Sequence, residues 1–263
     1  MKATGIALLL ALAAGCVVAP ATPAASSAVY ADPFEQPLAP YGEWIVIAPY
    51  GRVWRPLGVS PGWRPYLYGQ WVWTDEGWFW ASDEPWGWAT YHYGRWLLDP
   101  ALGWIWVPAY EWAPTWVVWR SGGGYVGWAP LLPGIEVWWV DPYPLDAAYW
   151  CFVPVNSFVG VPIDRVVVPP PRIPPLMPIT RPAPPRGPAA VPAPPRGGPP
   201  PAEVEGTMRR PIAPSRIVPV PTPEKARGAP HRDSVPVYRP APPPARKAPA
   251  PLERDNPQPP EKR

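Results

Sequence analysis

Between Tyr68 and Trp106 the chain alternates large aromatic side chains with smaller or polar ones. The pattern Trp-x-Trp occurs four times in this stretch, at Trp71/Trp73, Trp78/Trp80, Trp86/Trp88 and Trp104/Trp106. Residues two apart share one face of a β-strand, whereas a helix would place them about 200° apart. The pattern therefore predicts strands with an aromatic face.

A longer motif, Tyr-Gly-x-Trp followed after a short turn by Gly-x-x-Trp, begins at Tyr41, Tyr68 and Tyr93. The turns at 48–51, 74–77 and 99–103 contain the Pro, Asp and closing Gly that tight hairpin turns favour. A fourth hairpin is predicted with its turn at 121–124, and each motif glycine is expected to leave room for a cross-strand aromatic ring. We predict an all-β fold, a small antiparallel body of tandem Trp-rich β-hairpins arranged as a meander, barrel or sandwich.

Composition divides the chain near residue 168. All 19 Trp lie between Trp44 and Trp150, whereas 32 of the 51 Pro follow residue 168. The formal net charge is −6 up to residue 168 and +9 after it. We predict a signal peptide at 1–16, a flexible tether at 17–38, a Trp-rich β domain at 39–160 and a disordered, basic, Pro-rich tail at 169–263. The tail either contacts anionic surfaces or acts as a spacer.

The first sixteen residues have the pattern of an export signal. Lys2 supplies the positive start, an apolar run covers 6–14, and small residues precede Cys16. The run is too short to span a bilayer as a mature helix. Its end resembles a bacterial lipobox, in which the cysteine is lipidated; the alternative is ordinary cleavage, for example after Ala31. Because Val17 follows the cysteine in place of Asp, we predict an exported protein anchored by Cys16 in the outer membrane, facing the periplasm or cell surface. A soluble periplasmic or secreted protein is the alternative.

The segment from Ser82 to His92 has the most site-like composition. Its candidate binding residues are Asp83, Glu84, Trp86, Trp88, Tyr91 and His92. Aromatic faces stack on sugar rings and carboxylates hydrogen-bond to hydroxyl groups, so peptidoglycan or another envelope glycan is the candidate ligand. The competing interpretation places the Trp residues in the core, since Trp and Tyr have to supply most of the buried area. Because every indole carries an N–H donor that needs a partner, we expect several Trp on one exposed face.

An enzymatic interpretation makes Asp83 or Glu84 a general acid or base, with Asp75 or Glu76 as the second carboxylate of a glycosidase-like pair. Both pairs flank turn signals, which favours solvated turn residues. The common nucleotide, metal and nucleophile motifs are absent from the sequence, and Cys151 has the character of a small buried apolar residue. We therefore predict a non-enzyme without cofactor or metal. The acidic body disfavours nucleic-acid binding, and the oligomeric state stays open.

The order and spacing of Trp, Gly and Pro from Tyr41 to Phe158 resemble the DUF6600 family, a bacterial family of unknown function that includes YXWGXW-repeat proteins. The resemblance is carried by YGEWIVIAPYGRVWRP, GWRPYLYGQWVWTDEGWFWASDEPWGWATYHYGRW, GWIWVPAYEWAPTWVVWR and GGGYVGWAPL. It implies an envelope location and no reaction. The predicted function is a non-catalytic cell-envelope lipoprotein that serves as a structural or binding module. The alternative is an envelope glycan hydrolase that uses Asp83, Glu84 and His92.

Overall fold

A computed structural model describes residues 32–135, 146–183, 197–227 and 233–241. The strands in these ranges are β1 Gly42–Ile47, β2 Gly51–Pro56, β3 Gly69–Thr74, β4 Gly77–Ser82, β5 Arg95–Asp99, β6 Gly103–Val107, β7 Val117–Gly122, β8 Tyr125–Pro130, β9 Cys151–Pro154, β10 Arg181–Pro182, β11 Arg216–Val220 and β12 Ser234–Tyr238. The α-helices there are α1 Glu35–Leu38, α2 Gly87–Thr90 and α3 Pro201–Met208. Short 3₁₀ turns lie at Ala39–Tyr41, Ala147–Tyr149, Val155–Ser157, Ile163–Arg165, Pro170–Arg172, Pro174–Leu176 and Pro223–Ala226.

The four predicted hairpins are present, with turns where the sequence places them. They are β1–β2, β3–β4, β5–β6 and β7–β8, all antiparallel. Each hairpin contains a directly opposed Trp pair: Trp44/Trp54, Trp71/Trp80, Trp96/Trp106 and Trp119/Trp128. Directly opposed aromatic side chains stabilise an antiparallel pair. The prediction of an all-β body of Trp-rich hairpins is therefore confirmed.

The hairpins do not follow one another through a single sheet. One sheet has the order β1-β2-β6-β5, so the first and third hairpins join where Trp54 opposes Trp106. A second sheet has the order β10-β7-β8-β9. Strands β3 and β4 form a separate two-stranded sheet and lie in sequence between β2 and β5 of the first sheet. Strands β11 and β12 pair in parallel as a further small sheet. None of the described sheets closes on itself.

Trp is the most frequent residue type among the buried hydrophobic residues. Of the 17 Trp that the structure describes, 14 are buried and three, Trp44, Trp73 and Trp112, are partly exposed. For the 17 Trp of the described ranges, the expectation of several Trp on one exposed face is therefore wrong. The rings pack against one another, as between Trp71 and Trp119, whose centroids are 4.5 Å apart. Nine buried indole N–H groups have no acceptor among the described residues, so ring packing outweighs the need for a hydrogen bond at these positions.

Residues 32–38, predicted as the end of the flexible tether, belong to the body instead. Phe34 and Leu38 are fully buried, one just before α1 and the other at its end. Phe34 lies within 5.3 Å of the Trp106 ring and donates its backbone N–H to Asp32. The remainder of the predicted tether, and the signal peptide with Cys16, lie outside the described residues.

The Pro-rich segment also differs from the prediction of a disordered tail where the structure describes it. Apolar side chains from three of its stretches are buried against the body: Ile173, Leu176, Val204, Val235 and Val237. The backbone carbonyl of Pro199 accepts a 2.9 Å hydrogen bond from the Trp78 indole. A chain restricted by proline loses little entropy when it docks, so scattered apolar residues suffice to hold it on an aromatic surface. Residues 184–196, 228–232 and 242–263 of this predicted tail lie outside the described ranges.

None of the helices in the described ranges is both long enough and apolar enough to cross a membrane.

Candidate functional site

The predicted site segment connects the second and third hairpins. Strand β4 ends at Ser82, a turn follows, and α2 leads to His92. The Ser82 hydroxyl accepts the backbone N–H of Glu84 at 3.0 Å, and the Glu84 carbonyl accepts that of Gly87 at 3.0 Å. This turn leaves Asp83 exposed and directs the Glu84 carboxylate inward. The two neighbouring carboxylates are therefore separated between solvent and interior.

Two interior donors hold the Glu84 carboxylate. The Trp63 indole N–H donates to Oε1, and the Tyr91 hydroxyl donates to Oε2. Glu84 as a residue is partly exposed, but its carboxylate is enclosed by these rings. Burial raises the pKa of Glu84 to about 7, because desolvation outweighs the two hydrogen bonds. Burial, and then the nearby Asp164, raise the pKa of Asp83.

The aromatic candidates Trp86, Trp88 and Tyr91 are core residues. Trp86 packs on Trp54 at 5.7 Å between ring centroids, and Trp88 packs on Tyr238 of β12 at 5.2 Å. The side chains of Trp86, Trp88 and Tyr91 are 8%, 5% and 0% exposed. A stacking platform for a ligand needs an exposed ring face, so these three residues form no such platform in this structure.

His92 is also interior. Its Nδ1 lies 3.1 Å from the Ala113 carbonyl, and because a carbonyl can only accept, Nδ1 carries the proton. The ring stacks between Phe79, at 4.3 Å, and Trp112, at 5.9 Å. Burial lowers the pKa of His92 to about 4, so the imidazole is neutral near pH 7. A neutral imidazole held in this stack has a structural role.

The space between Glu84 and His92 is small. The cavity that they line has a volume of about 20 Å³ and is lined on the other side by Arg227 and residues 235–238. A cavity of this size holds about one water molecule. A sugar ring cannot enter it without displacing β12.

The two predicted carboxylate pairs lie at opposite ends of the second hairpin. Asp75 and Glu76 form the turn next to Gly77, whereas Asp83 and Glu84 follow Ser82. A strand from Gly77 to Ser82 is about 17 Å long. The two catalytic carboxylates of a glycosidase are roughly 5–9.5 Å apart. The structure therefore does not bring together the pair that the enzymatic interpretation requires.

Trp73 occupies a different setting and was not among the predicted site residues. It borders two surface grooves, of about 320 Å³ and about 170 Å³. Arg210 lines the larger groove and Asp75 the smaller one. Trp73 shares its strand face with the fully buried Trp71. The alternation of residues along the strand therefore could not predict which of the two rings is partly exposed. Its position near the end of β3, separated by one residue from the turn at 75–76, is the sequence signal that points to a partly exposed ring.

Cys151 is a buried, unpaired cysteine. Arg64 donates from Nε to the Cys151 sulfur at 3.0 Å, and both side chains are buried. Burial raises the pKa of the Cys151 thiol, which outweighs the neighbouring guanidinium. The thiol is therefore protonated and enclosed, as predicted for a small core residue. Within the described ranges no cluster of His, Cys, Asp or Glu side chains has the arrangement of a metal site.

The comparisons with known proteins identify one family. The model of a family of unknown function, DUF6600, matches residues 35–135, from α1 to just beyond β8. The match confirms the resemblance seen in the sequence, over a shorter stretch than Tyr41 to Phe158. No curated protein and no solved structure matches the chain.

Proposed function

We propose a function from the chemistry of the chain itself, because the family whose model matches residues 35–135 has no known function. The proposed function is a non-catalytic module of the bacterial cell envelope. In this proposal the protein is exported, anchored in the outer membrane through a lipid on Cys16, and binds a wall glycan such as peptidoglycan.

One observation carries the non-catalytic part of the proposal. Glu84 and His92 have catalytic potential, but both are hydrogen-bonded inside the fold. The Glu84 carboxylate accepts from Trp63 and Tyr91, and the His92 ring bonds to the Ala113 carbonyl. The cavity beside them has room for about one water molecule. A general acid or base has to reach its substrate within hydrogen-bonding distance. The hydrogen bonds and the small cavity leave neither side chain placed for such a contact, which supports the non-catalytic proposal.

The envelope location is supported by the sequence of the leader. A positive start, a short apolar run and small residues before Cys16 are the features of a lipoprotein signal. Val17 after the cysteine favours the outer membrane. An acidic body with surface aromatic and polar groups is better suited to a glycan than to a nucleic acid, which needs a basic groove.

Sedimentation with purified peptidoglycan tests glycan binding. The full-length protein in detergent is expected to sediment with peptidoglycan, and soluble N-acetylglucosamine oligomers are expected to compete. Retention should persist from 0.1 M to 0.5 M salt, because attraction by the basic Pro-rich segment alone would be screened at high salt. Absence of sedimentation at both salt concentrations would contradict glycan binding.

The alternative function, a glycan hydrolase using Asp83, Glu84 and His92, is favoured by the pKa of Glu84, which suits a general acid. The same mixture of full-length protein and peptidoglycan distinguishes the hydrolase from the non-catalytic module. Release of soluble glycan fragments by the wild type, lost in Glu84→Gln, would replace the non-catalytic proposal with this one.

A further inference from the structure

We infer that Trp73 is the stacking platform of a saccharide site, formed where two grooves meet at the end of hairpin β3–β4. The ligand class is an uncharged hexose or N-acetylhexosamine ring of a wall glycan. This inference rests on the proposed glycan-binding function and locates it on residues outside the Ser82–His92 segment.

Among the described Trp residues, only Trp44, Trp73 and Trp112 are partly exposed. The Arg52 guanidinium lies 5.2 Å from the Trp44 ring, and the Arg239 guanidinium lies 3.8 Å from the Trp112 ring. These cations already cover two of the three rings.

Trp73 has a different environment. It makes an edge contact with the Trp78 ring, at 5.1 Å between centroids and 62° between planes. It also lines both the 320 Å³ groove and the 170 Å³ groove. The larger volume lies at the lower end of the roughly 300–1,000 Å³ that is typical of ligand clefts. Trp73 is thus a partly exposed indole that lines two grooves, where it can meet a planar ligand.

Polar groups flank the ring on both sides. Arg210 in the larger groove is held by a 2.7 Å hydrogen bond from its guanidinium to the Val159 carbonyl. Asp75 lies in the smaller groove, and its backbone N–H donates to the Ser215 carbonyl at 3.4 Å. Ser215 in turn donates to the Trp73 carbonyl at 2.9 Å. The platform and its neighbours are therefore fixed by backbone hydrogen bonds, as a binding site requires.

The local charge favours an uncharged ligand. Arg210 offers donors and Asp75 offers acceptors, so a ring bearing hydroxyl or acetamido groups finds both. Glu76, the other carboxylate of the smaller groove, is paired with Arg239 at 2.9 Å. A polyanion would meet these two carboxylates without a basic groove, and a purely apolar ligand would leave the polar groups unpaired. A saccharide ring can stack on the Trp73 indole and, at the same time, form hydrogen bonds with Arg210 and Asp75.

Binding of N-acetylglucosamine oligomers and of peptidoglycan to the full-length protein tests this site. Trp73→Ala is expected to weaken both at least tenfold, and Arg210→Ala, at an exposed side chain, is expected to weaken them several-fold. Trp44→Ala is the matched control, because its ring is partly exposed but covered by Arg52 and lines neither groove, and it should bind like the wild type. Urea unfolding of each variant shows whether it is folded.

The outcomes separate the two proposals. If the wild type binds glycan and a folded Trp73→Ala binds equally well, or Trp44→Ala weakens binding as much, the site is wrong while glycan binding stands. If Trp73→Ala does not fold, an unaffected Arg210→Ala overturns the site. If the wild type binds no glycan, the proposed function fails and the inference fails with it. Displacement of the oligomer by a Pro-rich peptide with equal effectiveness would assign the grooves to peptide in place of saccharide.

Discussion

At the scale of single residues, the glycine of each Tyr-Gly-x-Trp motif lies beneath a Trp of the opposite strand. A β-carbon on Gly42, Gly69 or Gly94 would be 2.5, 2.9 or 2.8 Å from the ring of its cross-strand Trp. Such distances are far inside van der Waals contact, so any side chain would push the ring away. The predicted use of these glycines is confirmed, and it explains why glycine and Trp occur together in every motif.

Glu84 gives the molecule a pH-dependent stability. Its pKa in the fold is about 7 against an ordinary value of 4.5, so the folded state binds its proton more tightly than the unfolded chain. The stability from this group is complete below pH 4.5 and is lost as pH rises through 7. We expect Glu84→Gln, which keeps a neutral acceptor, to be more stable than the wild type by up to about 3 kcal/mol at pH 8. The difference should become small near pH 4.5.

Urea unfolding at pH 4.5 and pH 8, followed by Trp fluorescence, measures this difference. Comparison with the wild type at each pH cancels the opposite effect of His92, whose low pKa destabilises the fold as pH falls below 6.5. Asp83→Asn, at the exposed neighbour, is expected to have a much smaller effect. An equal gain from Glu84→Gln at both pH values would show that the charge of Glu84 is not responsible.

At the scale of elements, the hairpins depended on local signals and were predictable. Period-two aromatic residues and turn residues specify β1–β8 without reference to the rest of the chain. The environment of the candidate site depends on residues that are far apart in the sequence, so it could not be predicted from local patterns. Trp88 is buried partly by Tyr238, which lies 150 residues further along the chain. Periodicity shows which side chains share a face but cannot show what covers that face.

Strand β12 covers part of the second hairpin and should contribute to stability. Val237 is 4% exposed and packs in a cluster with Phe79 and Ala81. Val218, on the paired strand β11, is 43% exposed. We expect Val237→Ala to reduce the free energy of unfolding by about 1–2 kcal/mol and Val218→Ala by less than about 0.5 kcal/mol. Urea unfolding measures both, and equal losses would mean that β12 does not cover the core.

At the scale of the whole molecule, the acidic and basic parts of the chain meet in the fold. Arg239, from the basic segment, pairs with Glu76 of the second hairpin at 2.9 Å. Arg227 lies 5.5 Å from the Tyr41 ring. Exposed ion pairs contribute little to stability, so these contacts align a segment that apolar burial holds in place. The net charge of the whole chain therefore does not show that its acidic part and its basic part contact each other in the fold.

The proposed lipid on Cys16 would attach the whole molecule to a membrane. In cells given a labelled fatty acid, the wild type is expected to carry the label and to fractionate with membranes, whereas Cys16→Ala should be unlabelled and leave the membrane fraction. Cys151→Ala is the control, because the Cys151 thiol is buried and should accept no lipid. Persistence of the label in Cys16→Ala would refute lipidation at that residue.

The hydrogen bond between Trp78 and Pro199 has a consequence for the timing of folding. The two residues are 121 positions apart, and a chain is synthesised from its N-terminus at roughly 5–20 residues per second. Pro199, whose carbonyl accepts from the Trp78 indole, is therefore synthesised about 6–24 s after Trp78. During that interval the hairpin exists with its aromatic side uncovered, which is the state of a nascent chain that is most exposed to aggregation. Docking of the Pro-rich segment, which is made after the hairpin, ends that interval.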